Sequence, residues 1–218
     1  MGSWGGSVRI GIFGGSFNPP HNMHEDIVLE LLRQKYLDKI ICVPTGDDYA
    51  KSFLLPITNR IEMLRRMFED NDAVEVSDIE STGFLYTWET MNYYEKKYPN
   101  DELFFICGMD NLADLPTWHM YEKLLEEYKL IVVKRETDES ETALEMYNKY
   151  IDRIEIANIK ARSISSTCIR NEIAKNGFSD RIKECMDERV IKYLGQIDYG
   201  KYWHKKWWLT KLKSLSKM

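Results

Sequence analysis

Six short apolar, β-branched runs recur along this chain with segments of helical periodicity between them, and that alternation restricts the fold more than any other feature. VRIGIF precedes a helix expected from about Asn22 to Tyr36, KIICVP precedes PITNRIEMLRRMFED, and AVEVSD precedes TWETMNYYEKKY. ELFFICG, KLIVVK and RIEIANI continue the series, with WHMYEKLLEEY and STCIRNEIAKNG among the remaining helical stretches. Alternating β and α elements imply parallel strands joined by crossovers and covered on both faces. The expected fold is therefore α/β, a Rossmann-like doubly wound parallel sheet with helices on both faces. Ligands of such sheets bind where strands end and helices begin.

No internal repeat or low-complexity linker divides the chain, so a single domain is expected over 8–197, followed by a basic, Trp-rich helical tail over 198–218. The glycine-rich MGSWGGS before Val8 has the composition of a flexible leader and is set aside. Cys42, Cys107, Cys168 and Cys185 stand singly, without CxxC or a disulfide framework, which suits reduced thiols. With no run of membrane-spanning length and no signal-peptide pattern, the expectation is a cytoplasmic protein. Net charge is −5, although Tyr199–Met218 holds six lysines and no acid, so the preceding chain is more acidic still. That balance argues against a nucleic-acid-binding surface. In the tail, Trp208, Leu212 and Leu215 share one helical side opposite Lys206, Lys213 and Lys217, a pattern open to membrane contact or to packing on protein.

The first turn carries the densest chemistry. Gly14-Gly15 follow the first strand, where missing Cβ atoms let a ligand approach the backbone. Pro19-Pro20 then stiffen the chain, and a helix opens near His21 to Asn22 with its free N–H groups facing the strand edge. His21 and His24, three apart, share a face of its first turn and can point at one anion; a capped helix start with a core histidine is the alternative. Neither GxGxxG, a Walker loop nor a metal-ligand spacing is present. In SISSTCIRNEIAKNG, Ser165 or Ser166 caps a second helix, and Thr167 and Arg170 share its first turns, which suits a polyphosphate or an ordinary capped surface helix. Gly108 and Asp110 close another strand, where the acid either holds ribose hydroxyls or caps a helix. Trp118 follows Pro116-Thr117 and either stacks on a flat ring or packs in the core.

GGSFNPPHNMH resembles the (H/T)xGH loop of the nucleotidylyltransferases, specifically the nicotinate or nicotinamide mononucleotide adenylyltransferases, with Met23 where glycine is usual, as in eukaryotic-type nicotinamide enzymes. Ile164-Ser165-Ser166-Thr167 and Arg170 match that family's ISSTxxR motif. The resemblance implies catalytic roles for His21, His24 and Arg170, and ATP contacts from Gly14, Gly15, Ser16, Phe17, Gly108, Asp110, Ser166 and Thr167. LPTW, which ends at Trp118, is similar to the bacterial nicotinate enzymes, whose matching tryptophan stacks on the pyridine. Tyr86-Thr87 resemble an SYT element that receives the nicotinate carboxylate, with Leu85 replacing its serine. Lys51 and Arg135 resemble phosphate contacts, although the usual PPHK is absent. The GMDNL…LPTW block argues against the pantetheine-phosphate adenylyltransferases and the cytidylyltransferases, which share the first loop.

The implied reaction is adenylyl transfer from ATP, accompanied by Mg²⁺, to nicotinate mononucleotide in NAD biosynthesis. Nicotinamide mononucleotide is the alternative acceptor, and a non-catalytic adenylate sensor is the alternative class. No protein metal ligands are expected.

Overall fold

A computed structural model describes residues 7–48, 53–83, 85–134, 140–200 and 202–203. Six strands, β1 Arg9–Gly15, β2 Lys39–Pro44, β3 Val74–Val76, β4 Glu102–Gly108, β5 Lys129–Lys134 and β6 Ile154–Asn158, form one sheet in the order β3-β2-β1-β4-β5-β6. Every pairing is parallel. The chain builds outward from β1 in one direction, then crosses back to place β4 on its other side. The crevice beyond the carboxyl ends of β1 and β4 is thus the switch point at which such sheets bind ligands.

Nine helices among the described residues cover the two faces: α1 Asn22–Arg33, α2 Ile57–Met67, α3 Thr87–Lys97, α4 Met109–Asp114, α5 Tyr121–Glu127, α6 Glu141–Lys149, α7 Ser166–Asn176, α8 Asp180–Cys185 and α9 Glu188–Leu194. Strand side chains alternate between faces with a period of two. Phe13, Phe104, Ile106 and Ile131 pack with Val28 and Leu31 of α1, Leu64 of α2 and Ile169 and Ile173 of α7. Ile10, Ile12, Phe105 and Val132 pack with Met91 of α3, Leu124 of α5 and Met146 of α6 on the opposite face. The strands are buried from both sides, which is why they read as continuous apolar runs.

Glycine at position 11 is a packing requirement. A Cβ there would collide with Leu37 Cδ1 and lie 2.6 Å from Ile106 Cδ1. The first helix ends at Arg33, short of Tyr36, because Gln34 closes it and Lys35 turns the chain at φ 62°. Packing continues past position 197: Trp203 is 6% exposed, belongs to the α1-side core and stands 5.2 Å from the Tyr199 ring. Trp208, Leu212, Leu215 and the opposing lysines lie outside the described residues. No described helix is long and apolar enough to cross a membrane.

Candidate active site

β1 delivers Gly14 and Gly15 to the carboxyl edge beside Val43 and Pro44 of β2. The loop then folds tightly under itself. Phe17 adopts a left-handed φ of 45°, and its ring, 1% exposed, occupies the space a Cβ on Gly15 would need, 3.2 Å away. It also meets the edges of Phe13 at 5.5 Å and His24 at 5.0 Å. A buried non-glycine residue held at positive φ stores strain that the surrounding packing must maintain. The Phe17 side chain thus supports the loop from beneath.

His21 is the extended N-cap residue of α1, and its backbone N–H donates to His24 Nδ1 at 3.1 Å. With Nδ1 accepting, a neutral His24 carries its proton on Nε2 and presents a hydrogen-bond donor. The two rings lie 3.8 Å apart. Burial lowers the His21 pKa to about 4, and burial together with neighbouring His21 holds His24 well below the ordinary imidazole value. Both are neutral at pH 7, so they offer N–H donors rather than a permanent cation. His21 Nδ1 is buried without a partner among the described residues.

The second motif meets this loop directly. Ser165 caps α7, its Oγ accepting from the Cys168 N–H at 3.2 Å. Ser166 Oγ donates to the Pro19 carbonyl at 2.9 Å, and Arg170 Nη1 donates to the Asn18 carbonyl at 2.7 Å. Arg170 Nη2 reaches Thr167 Oγ1 at 3.0 Å. Segments about 150 positions apart thereby place two helix N-termini on one loop. Arg162, just before α7, adds three bonds to Asp26 of α1. The hydrogen bonds of the Arg170 guanidinium among the described residues go to neutral oxygens, and burial depresses its pKa. The groups that hold this desolvated cation are neutral, so its charge is left uncompensated by them.

Two cavities flank the glycine pair. The larger, about 480 Å³, is lined by Gly15, Ser16, Tyr86, Thr87 and Trp118 among others. Its volume falls within the usual range for small-ligand sites. Trp118 stands edge-on to Phe105 at 5.8 Å, while the exposed Tyr86 ring lies 4.2 Å from His119. The smaller, about 210 Å³, is lined by Gly14, Phe17, His24, Gly108 and Asp110. Asp110 is exposed, and a Cβ on Gly108 would collide with its Oδ1. His21 lines neither cavity. Ser166, Thr167 and Arg170 likewise line neither: Ser166 and Arg170 stand against the Asn18–Pro19 segment, and Thr167 meets Arg170. Lys51 and Arg135 lie outside the described residues.

Three supporting residues escape sequence reasoning. Arg60, fully buried, donates to the Ser16 carbonyl at 3.1 Å, the Leu55 carbonyl at 2.7 Å and Asp47 Oδ1 at 2.8 Å. Asn18, 1% exposed, donates to the Phe53 carbonyl and accepts from the Leu55 N–H, each at 3.0 Å. Glu80 lines the larger cavity and accepts from the Gly46 N–H at 2.8 Å, with burial raising its pKa. An asparagine before proline in a glycine-rich loop is the one sequence signal among them.

Comparison with known proteins gives the family and the fold. Residues 12–172 match the cytidylyltransferase-like family model. The nicotinate-nucleotide adenylyltransferase of Bacillus subtilis is 33% identical over 195 residues, covering 85% of this chain and 95% of the relative. Among solved structures, Plasmodium falciparum nicotinic acid mononucleotide adenylyltransferase complexed with NaAD superposes with a TM-score of 0.76 at 24% identity, over 89% of this chain and 97% of that one. The same enzyme complexed with APC gives 0.72 at 22% identity, over 87% and 95%. The two structural likenesses concern the fold.

Proposed function

Because this chain belongs to the nicotinate-nucleotide adenylyltransferases of the cytidylyltransferase-like family, we propose that it transfers the adenylyl group of ATP to nicotinate mononucleotide, forming nicotinate adenine dinucleotide and pyrophosphate on the route to NAD. The observation that carries the proposal is the meeting of Ser166 and Arg170 with the Asn18–Pro19 loop beside His24. A phosphate monoester with second pKa near 6 is largely ionised at neutral pH, so the acceptor needs no general base. Its oxygen attacks the α-phosphorus, the bond from that phosphorus to the bridging oxygen breaks, and the electron pair leaves with pyrophosphate. Charge builds on the phosphoryl oxygens, and catalysis rests on orientation and stabilisation of that charge.

In this scheme His24 Nε2–H and the Arg170 guanidinium donate to the polyphosphate, aided by Thr167, Ser166 and the N–H groups opening α1 and α7. His21 fixes the tautomer of His24 through its backbone N–H and lends its own imidazole. Gly14, Gly15, Ser16 and Phe17 shape the floor, and Gly108 and Asp110 take the adenosine side of the smaller cavity. The larger cavity takes the pyridine nucleotide, with Trp118 against the ring and Tyr86-Thr87 towards its carboxylate. Lys51 and Arg135 are proposed to assist its phosphate. Mg²⁺ accompanying ATP would supply further charge neutralisation on the phosphates. An ATP-consuming enzyme with unpaired cysteines fits the cytoplasm.

Met23, the residue shared with nicotinamide enzymes, lines the smaller cavity and not the larger one, so it does not face the pyridine in this arrangement. That favours nicotinate as the acceptor. Pyrophosphate release from ATP with each mononucleotide, measured side by side, tests the proposal. Turnover with nicotinate mononucleotide is expected to dominate. A preference for the nicotinamide form would reassign the substrate, and no turnover with either would leave a non-catalytic adenylate binder.

A further inference from the structure

Arg170 is held by three groups, and sequence motifs account for only two of them, the Asn18 carbonyl and Thr167 Oγ1. The third is the Phe53 ring, whose centroid lies 4.5 Å from the guanidinium carbon. Phe53 is itself fixed from the first loop. The buried Asn18 carboxamide donates to the Phe53 carbonyl and accepts from the Leu55 N–H, spanning that backbone as a neighbouring strand would. The circuit is closed, because the residue whose carbonyl receives Arg170 also sets the ring on which Arg170 lies.

The chemistry of this support matters. A carboxylate would orient the guanidinium equally well but would neutralise it and compete with a phosphate. An aromatic face orients the cation and leaves its charge available. We infer that Phe53 is a positioning residue for Arg170, presetting the guanidinium plane for a polyphosphate. The inference deepens the adenylyl-transfer reading and rests on Arg170 meeting the ATP phosphates.

The test compares the full-length wild type with Phe53→Leu and Phe53→Tyr, measuring KM for ATP and for nicotinate mononucleotide together with thermal melting. Loss of the ring should raise KM for ATP about 3- to 10-fold. KM for the mononucleotide should stay unchanged, and Phe53→Tyr, which keeps the ring, should recover the ATP affinity. In an Arg170→Met background, which lacks the cation that the ring orients, Phe53→Leu should add little further loss. An unchanged KM for ATP, an equal rise in both KM values, or the same penalty without the guanidinium would overturn the inference. Should the wild type transfer no adenylyl group, calorimetric titration with a non-hydrolysable ATP analogue decides instead. Weaker binding to Phe53→Leu than to wild type supports the positioning role, and equal binding refutes it.

Discussion

Acidification should destabilise this protein through its two buried imidazoles, and the His21 share can be sized. Burial lowers the His21 pKa from 6.5 to about 4. Between those values the unfolded chain binds a proton that the folded chain does not, so stability falls as pH falls. The loss begins near the unfolded pKa of 6.5 and is complete below about 4. At about 1.4 kcal/mol for each pH unit between the two values, the full penalty is about 3 kcal/mol, of which about 2 kcal/mol falls between pH 7 and pH 5. Other groups also titrate in this range, so the measurement is a difference. Wild type and His21→Asn, which keeps a polar helix-capping residue without the imidazole, are unfolded in urea at both pH values. The wild type should lose about 2 kcal/mol more than the variant, a difference of roughly 1 M in relative midpoint. Parallel losses in the two proteins would show that His21 is not held neutral by the fold.

Arg170→Met should lower turnover by about 100- to 1,000-fold while leaving the melting temperature equal or higher, since it removes a desolvated cation hydrogen-bonded to neutral oxygens. Lower melting with normal turnover would mark Arg170 as structural. His24→Ala should lower turnover by a similar ~100- to 1,000-fold with unchanged far-ultraviolet circular dichroism, and near-normal turnover would remove the imidazole from the chemistry. Gly11→Ala should cost about 1–3 kcal/mol in urea unfolding, because its Cβ has no room against Leu37 and Ile106. The properly folded fraction should keep its specific activity.

The architecture was readable wherever a local pattern carries it. Strands buried from both faces, such as Leu103 to Cys107 in β4, are continuous apolar runs, and the serine pair at 165–166 signals the start of α7, with the structure choosing Ser165 as the cap. The placement of the glycine pair and of the two histidines at a strand end and a helix start was readable too, because it depends on order along fourteen consecutive residues. What holds the site in shape was hidden. Arg60 lies among Arg65 and Arg66 in a helix of charged composition, yet it is fully buried beneath Ser16, 44 positions away in sequence. Asn18 and Phe53 are 35 positions apart. Phe17 was readable as part of the loop, but its packing role depends on a left-handed backbone that phenylalanine seldom adopts. Such supports arise from tertiary placement and leave no periodicity to detect.

A crystal structure with a non-hydrolysable ATP analogue examines the core of the account most directly. The expected result is one triphosphate touched from α1 by His24 Nε2 and from α7 by the Arg170 guanidinium. A triphosphate bound by only one of the two helix origins, or elsewhere on the sheet edge, would contradict it.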